Sequence, residues 1–108
     1  MISLALALLV SAQNDTADSR EAYARCLKSF ARTSLEQKME PGAFDAALGS
    51  ACKDKEALLK TALTRADLAM GIKAAASSKS TAEQLTDYVS MAKEDYRFEF
   101  EAANKPKP

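Results

Sequence analysis

Two side chains in this sequence are suited to covalent cross-linking: Cys26 and Cys52, its only cysteines. Their midpoint is residue 39, where the helix-breaking stretch Met39-Glu40-Pro41-Gly42 begins. If the flanking segments are antiparallel helices, each sulfur lies about 13 residues from the turn, or roughly 20 Å along its helix axis. The two sulfurs then face each other across a helical hairpin, and a structural disulfide fits that geometry. A redox-active pair would instead use C-x-x-C spacing on a βαβ scaffold, which is absent. A zinc site would need two further ligands, and the chain has no His to supply them.

The missing His also removes the usual general base and the Ser-His and Cys-His nucleophile pairs. Di-iron bundles need Glu-x-x-His, so that class fails too. The S-x-x-K pattern occurs twice, at Ser50-Ala51-Cys52-Lys53 and Ser90-Met91-Ala92-Lys93. Neither copy has the large αβ scaffold or the partner motifs that acyl transfer requires. The sequence therefore reads as non-enzymatic, with no cofactor and no metal.

What must position the cysteines is helix. Gly and Pro are rare, with three of each in 108 residues, and Ala is abundant. That composition favours close-packed helices over strands. Lys plus Arg and Asp plus Glu both number 15, giving zero net charge. No basic field exists to attract nucleic acid or anionic lipid over long range. Ile2 to Val10 is apolar apart from Ser3 and too short to span a bilayer. It precedes Val10-Ser11-Ala12, small residues of the kind a signal peptidase reads. Residues 1–12 are read as a signal peptide, although no Lys or Arg precedes the apolar run, and 13–17 as a polar linker. Export to the periplasm or medium would suit a disulfide. After cleavage no stable membrane span is expected.

Three helices are expected. The first covers about 18–38, with Asp18 and Glu21 approximating a capping box. Its apolar face carries Tyr23, Cys26, Leu27 and Phe30; Arg20, Arg25, Lys28, Arg32 and Glu36 read as its solvated face. The second spans about 42–76 as one continuous or gently kinked rod, with a break near Gly49 to Asp54 as the competing reading. The third, about 80–103, starts at the capping box Ser80-Thr81-Ala82-Glu83 and ends at Asn104. Residues 105–108 read as a disordered tail, which leaves 18–104 as the helical domain. Folded about residue 39, Phe30 should meet Leu48, and Leu27 should meet Ala51. Folded about residue 79, Tyr96 should meet Ala62, and Phe100 should meet Leu59. The fold class is all-α, an antiparallel three-helix arrangement with one inter-helix disulfide.

A second apolar stripe is left over. Met91 and Phe98 lie seven apart on the last helix, away from its core face. Leu68 and Ile72 lie four apart, off the main arc of the middle helix. Either other helices cover them, or they form a patch for an envelope protein or for a second copy of the chain. Glu94 with Arg97, and Lys60 with Asp67, read as surface pairs of little weight.

The order of apolar N-terminus, Tyr23-Ala24-Arg25-Cys26, Ala51-Cys52 heading a long helix, and an aromatic-rich last helix resembles small exported helical proteins of Gram-negative bacteria with a single disulfide. Ala51-Cys52-Lys53-Asp54-Lys55 is similar to a stretch of the periplasmic acid-stress chaperones, which are also small, helical and single-disulfide. The first resemblance implies export but no particular function. The cross-link, the absent catalytic groups and the second apolar stripe point to an exported, non-enzymatic module that binds another envelope protein. The second resemblance implies, alternatively, a periplasmic stress chaperone.

Overall fold

Pro41 stops the first helix, because it lacks an N–H and its ring clashes with the preceding turn. Around that stop, a computed structural model describes the backbone of residues 2–106 and the side chains of residues 14–106. The side chains of the apolar stretch Ile2–Val10 and the tail residues Lys107 and Pro108 lie outside the described residues. The elements are α1 (Ile2–Glu36), α2 (Pro41–Ala51), α3 (Lys53–Ala69) and α4 (Ala74–Ala103), and no strand occurs among the described residues.

The all-α antiparallel arrangement is as expected, but it has four helices. α2 and α3 together form the middle rod, interrupted at Cys52 (φ −121°, ψ 29°). The break has local causes. Gly49 and Ser50 weaken the end of α2. Asp54 and Glu56, acidic residues in the first turn of α3, favour a restart there. The expected continuous rod over 42–76 is therefore replaced by two shorter helices.

α1 is longer than expected. Its backbone is helical from Ile2, so Asp18 and Glu21 sit inside the helix and cap nothing. Residues 13–17 form no break, since none of them is Gly or Pro. At its other end α1 closes in a Schellman motif: the Met39 N–H donates to the Ser34 carbonyl (2.9 Å), and the Lys38 N–H to that of Leu35 (3.0 Å). This places Lys38 in the left-handed region, φ 55°. A side chain there is disfavoured, so Lys38→Gly should raise stability by about 0.5–1 kcal/mol. A higher urea midpoint with an unchanged m-value is the expected readout; a lower midpoint would show that Lys38 makes a compensating contact.

The second turn is also displaced. α3 ends at Ala69 in another Schellman motif, with Gly71 at φ 81°. The Ile72 N–H donates to Asp67 (2.9 Å) and the Gly71 N–H to Leu68 (3.1 Å). α4 then starts at Ala74, so Ser80-Thr81-Ala82-Glu83 lies within it and is no helix start. Its hydroxyl residues serve packing instead. Ser77 and Thr81 are buried, and the Ser77 hydroxyl donates to Asp67 Oδ2 (2.7 Å). Asn104 does cap the C-terminus, its side chain and backbone N–H both donating to the Phe100 carbonyl.

The moved turn changes the pairing of α4. Ser77 opposes Asp67, Tyr96 opposes Phe44, and Arg97 opposes Asp45. These pairs are symmetric about residues 70–72 rather than 79. Tyr96 therefore packs on α2, not on Ala62. The core comprises Tyr23, Leu27, Phe44, Leu48, Cys52, Leu59, Leu63 and Tyr96.

Candidate functional site: the cross-linked hairpin and the α1–α4 groove

The α1 pairing about residue 39 is the one that sequence spacing implies. The sulfurs of Cys26 and Cys52 lie 2.16 Å apart, with their Cα atoms at 5.9 Å. Further along, Thr16 donates to the Ala62 carbonyl (3.4 Å), a pair with the same midpoint. Cys52 is buried and Cys26 half-buried, so the cross-link sits at the edge of the core.

α1 and α4 both run antiparallel to the middle rod and are therefore parallel to each other. Arg20 and Tyr23 hold them together at one level. The Arg20 guanidinium donates to Gln84 Oε1 (2.5 Å) and to the Tyr88 hydroxyl (3.4 Å), and the Tyr23 and Tyr88 rings are 5.3 Å apart. Arg20 is thus half-buried at a helix contact, not part of a solvated face. Burial pushes the Tyr23 hydroxyl up to about 12, and the nearby Glu56 carboxylate adds to the shift. The phenol stays a donor across the physiological range.

Beyond that clasp the two helices part. They leave an open groove of about 550 Å³. Leu27 and Tyr96, both buried, form its floor with the small residues Ala24, Ala31 and Ala92. Lys28 and Arg32 edge the α1 wall; Asp95 and Glu99 edge the α4 wall. Among the described residues the ion pairs are Arg25–Glu21 and Arg97–Asp45, so none of these four charges has an ion-pair partner there. Arg97 thus reaches Asp45 rather than Glu94, and Asp67 serves Ser77 rather than Lys60. Below the groove, the Tyr96 hydroxyl donates to the Met39 carbonyl (2.6 Å). Its titration is raised, first by burial and then by the nearby Glu40 carboxylate.

The four stripe residues are all on the surface. Met91 is 62% exposed and Phe98 75%, against 54% for Leu68 and 37% for Ile72. They do not form one patch. Met91 lines the groove, and Phe98 follows it on the outer face of α4. Leu68 and Ile72 lie with exposed Met70 at the α3–α4 turn. Met91 is about 26 Å along α4 from that turn at 1.5 Å per residue. The groove itself was not apparent from sequence. Its floor is largely alanine, and Lys28 and Arg32 look like ordinary solvated residues.

A small depression of about 260 Å³ beside the cross-link includes Ser50 and Lys53. The Ser50 hydroxyl there bonds back to the Ala47 carbonyl (3.4 Å). Among the described residues, no group of three or more Cys, Asp or Glu could hold a metal ion, and no helix is long and apolar enough to cross a membrane. No protein-family model matches the chain, and neither a curated protein nor a solved structure is similar to it.

Proposed function

We propose that the chain is an exported, non-enzymatic helical module of the cell envelope, periplasmic or secreted, that acts by binding protein along the α1–α4 groove. The observation that carries this reading is the apolar groove, edged by exposed Met91 and followed one heptad later by exposed Phe98. Apolar side chains of that size are costly to leave in water unless something covers them. The cysteine pair at bonding distance and the short apolar stretch Ile2–Val10 support export. An acid-triggered chaperone has less support. Such a switch would use carboxylates, yet the fully buried polar residues among those described are Ser34, Ser77 and Thr81.

Recovery of bound protein from an envelope extract, using the cross-linked chain as bait, tests the reading. Met91→Glu and Phe98→Glu should each reduce recovery by about tenfold or more, since a charge in a desolvated apolar contact costs more than the roughly 1.4 kcal/mol that a tenfold loss represents. Recovery equal to wild type in both variants would remove this face from the function.

A further inference from the structure

We propose that the occupant of the groove is a second copy of this chain, docked about a two-fold axis that runs along the groove. This inference rests on the groove being the working surface.

The charges argue for it. The α1 wall is basic, through Lys28 and Arg32, and the α4 wall is acidic, through Asp95 and Glu99. A two-fold axis along the groove sets the α1 wall of each copy against the α4 wall of the other. Basic then meets acidic at both edges. A two-fold axis across the groove would set basic on basic and acidic on acidic, which is repulsive. The surface is therefore self-complementary in one orientation, as an isologous contact requires.

The apolar residues fit the same orientation. α1 and α4 are parallel with a register offset of 64 residues, read from Arg20 to Gln84. That offset puts Met91 level with Leu27, between Ala24 and Ala31. A two-fold along the groove preserves level, so Met91 of each copy meets the small-residue floor of the other as a knob entering a hole. Phe98, one heptad on, comes level with Ser34 of the second copy, next to the groove residue Leu35. Both exposed apolar residues of α4 thereby find a place, and the four unpaired charges find partners.

Sedimentation of the cross-linked chain across a wide concentration range should show a monomer–dimer equilibrium. Arg32→Glu alone, or Glu99→Lys alone, should weaken the dimer by about tenfold or more, because each creates like charges at both edges. An equimolar mixture of these two variants should recover dimer as a mixed species with opposite charges restored. Both sites are on the surface, so circular dichroism of each variant should match wild type. A chain that remains monomeric overturns the inference, as does a dimer indifferent to both charge changes, or a mixture that fails to recover. If the chain is monomeric but Met91→Glu and Phe98→Glu still abolish capture from the extract, the groove binds a different protein and only the self-association fails. If capture is also unaffected, both readings fail.

Discussion

Replacing Cys26 with Ser is expected to lower the unfolding free energy by about 3 to 3.5 kcal/mol. The cross-link joins residues 26 apart in sequence. Closing a loop of that size restricts the unfolded chain by about this amount in the loop-entropy account. For a domain this small, the melting temperature should fall by roughly 15–25 °C. Total stability is on the order of 5–10 kcal/mol, so the variant stays folded at low temperature with little margin. Helical content should barely change, because Tyr23, Leu27 and Leu48 still pack together. Reduction of the wild type should reproduce the shift. Cys52→Ser should cost somewhat more than Cys26→Ser, since it also places a hydroxyl at a buried position. A Cys26→Ser variant within 1 kcal/mol of wild type in urea unfolding would mean that the unfolded chain already holds the two segments close.

The first half of the fold was legible for a physical reason. Pro41 fixes a turn in sequence, and two cysteines equidistant from it fix a register. Two independent constraints then agree, and the Thr16–Ala62 contact extends the same pairing. The second half offered constraints that conflict. Ser80-Thr81-Ala82-Glu83 has the composition of a helix start, but Gly71 can take a left-handed conformation that ends α3 first. Glycine prevailed because a Schellman turn closes on backbone hydrogen bonds, and it leaves Thr81 buried inside α4. Moving the turn by seven to nine residues moves every α4 partner by about twice that. The break at Cys52 leaves little trace in the sequence, because the apolar phase of the middle rod runs through it almost unchanged.

The candidate site was legible only in part. Met91 and Phe98 stood out because they depart from the α4 core stripe. Their separation from Leu68 and Ile72 depends on where the second turn falls, which periodicity alone does not fix. The groove depends on alanines, which carry no pattern that marks a cavity. It depends as well on Lys28 and Arg32, whose role appears only when a wall of opposite sign stands across from them.

Truncating Phe44 to Ala should be the most damaging single change in the core, at about 3–5 kcal/mol. Phe44 is 0% exposed. Its ring stacks on Tyr96 at 3.8 Å with 7° between planes, and on Phe30 at 5.2 Å. It thereby joins α1, α2 and α4 in one aromatic column. The same residue decides between the two registers of α4. With the turn at residue 79, Tyr96 would face Ala62 and be energetically independent of Phe44. With the turn at Gly71, the rings touch, and a double-mutant cycle with Tyr96→Leu should show a coupling of about 0.5–1.5 kcal/mol beyond burial. Tyr96→Phe should cost about 1 kcal/mol more on its own, because the Met39 carbonyl loses its donor next to the α1 cap. Strictly additive Phe44 and Tyr96 variants in urea unfolding would separate the two rings. They would also undo the register that places Asp95 and Glu99 opposite Lys28 and Arg32.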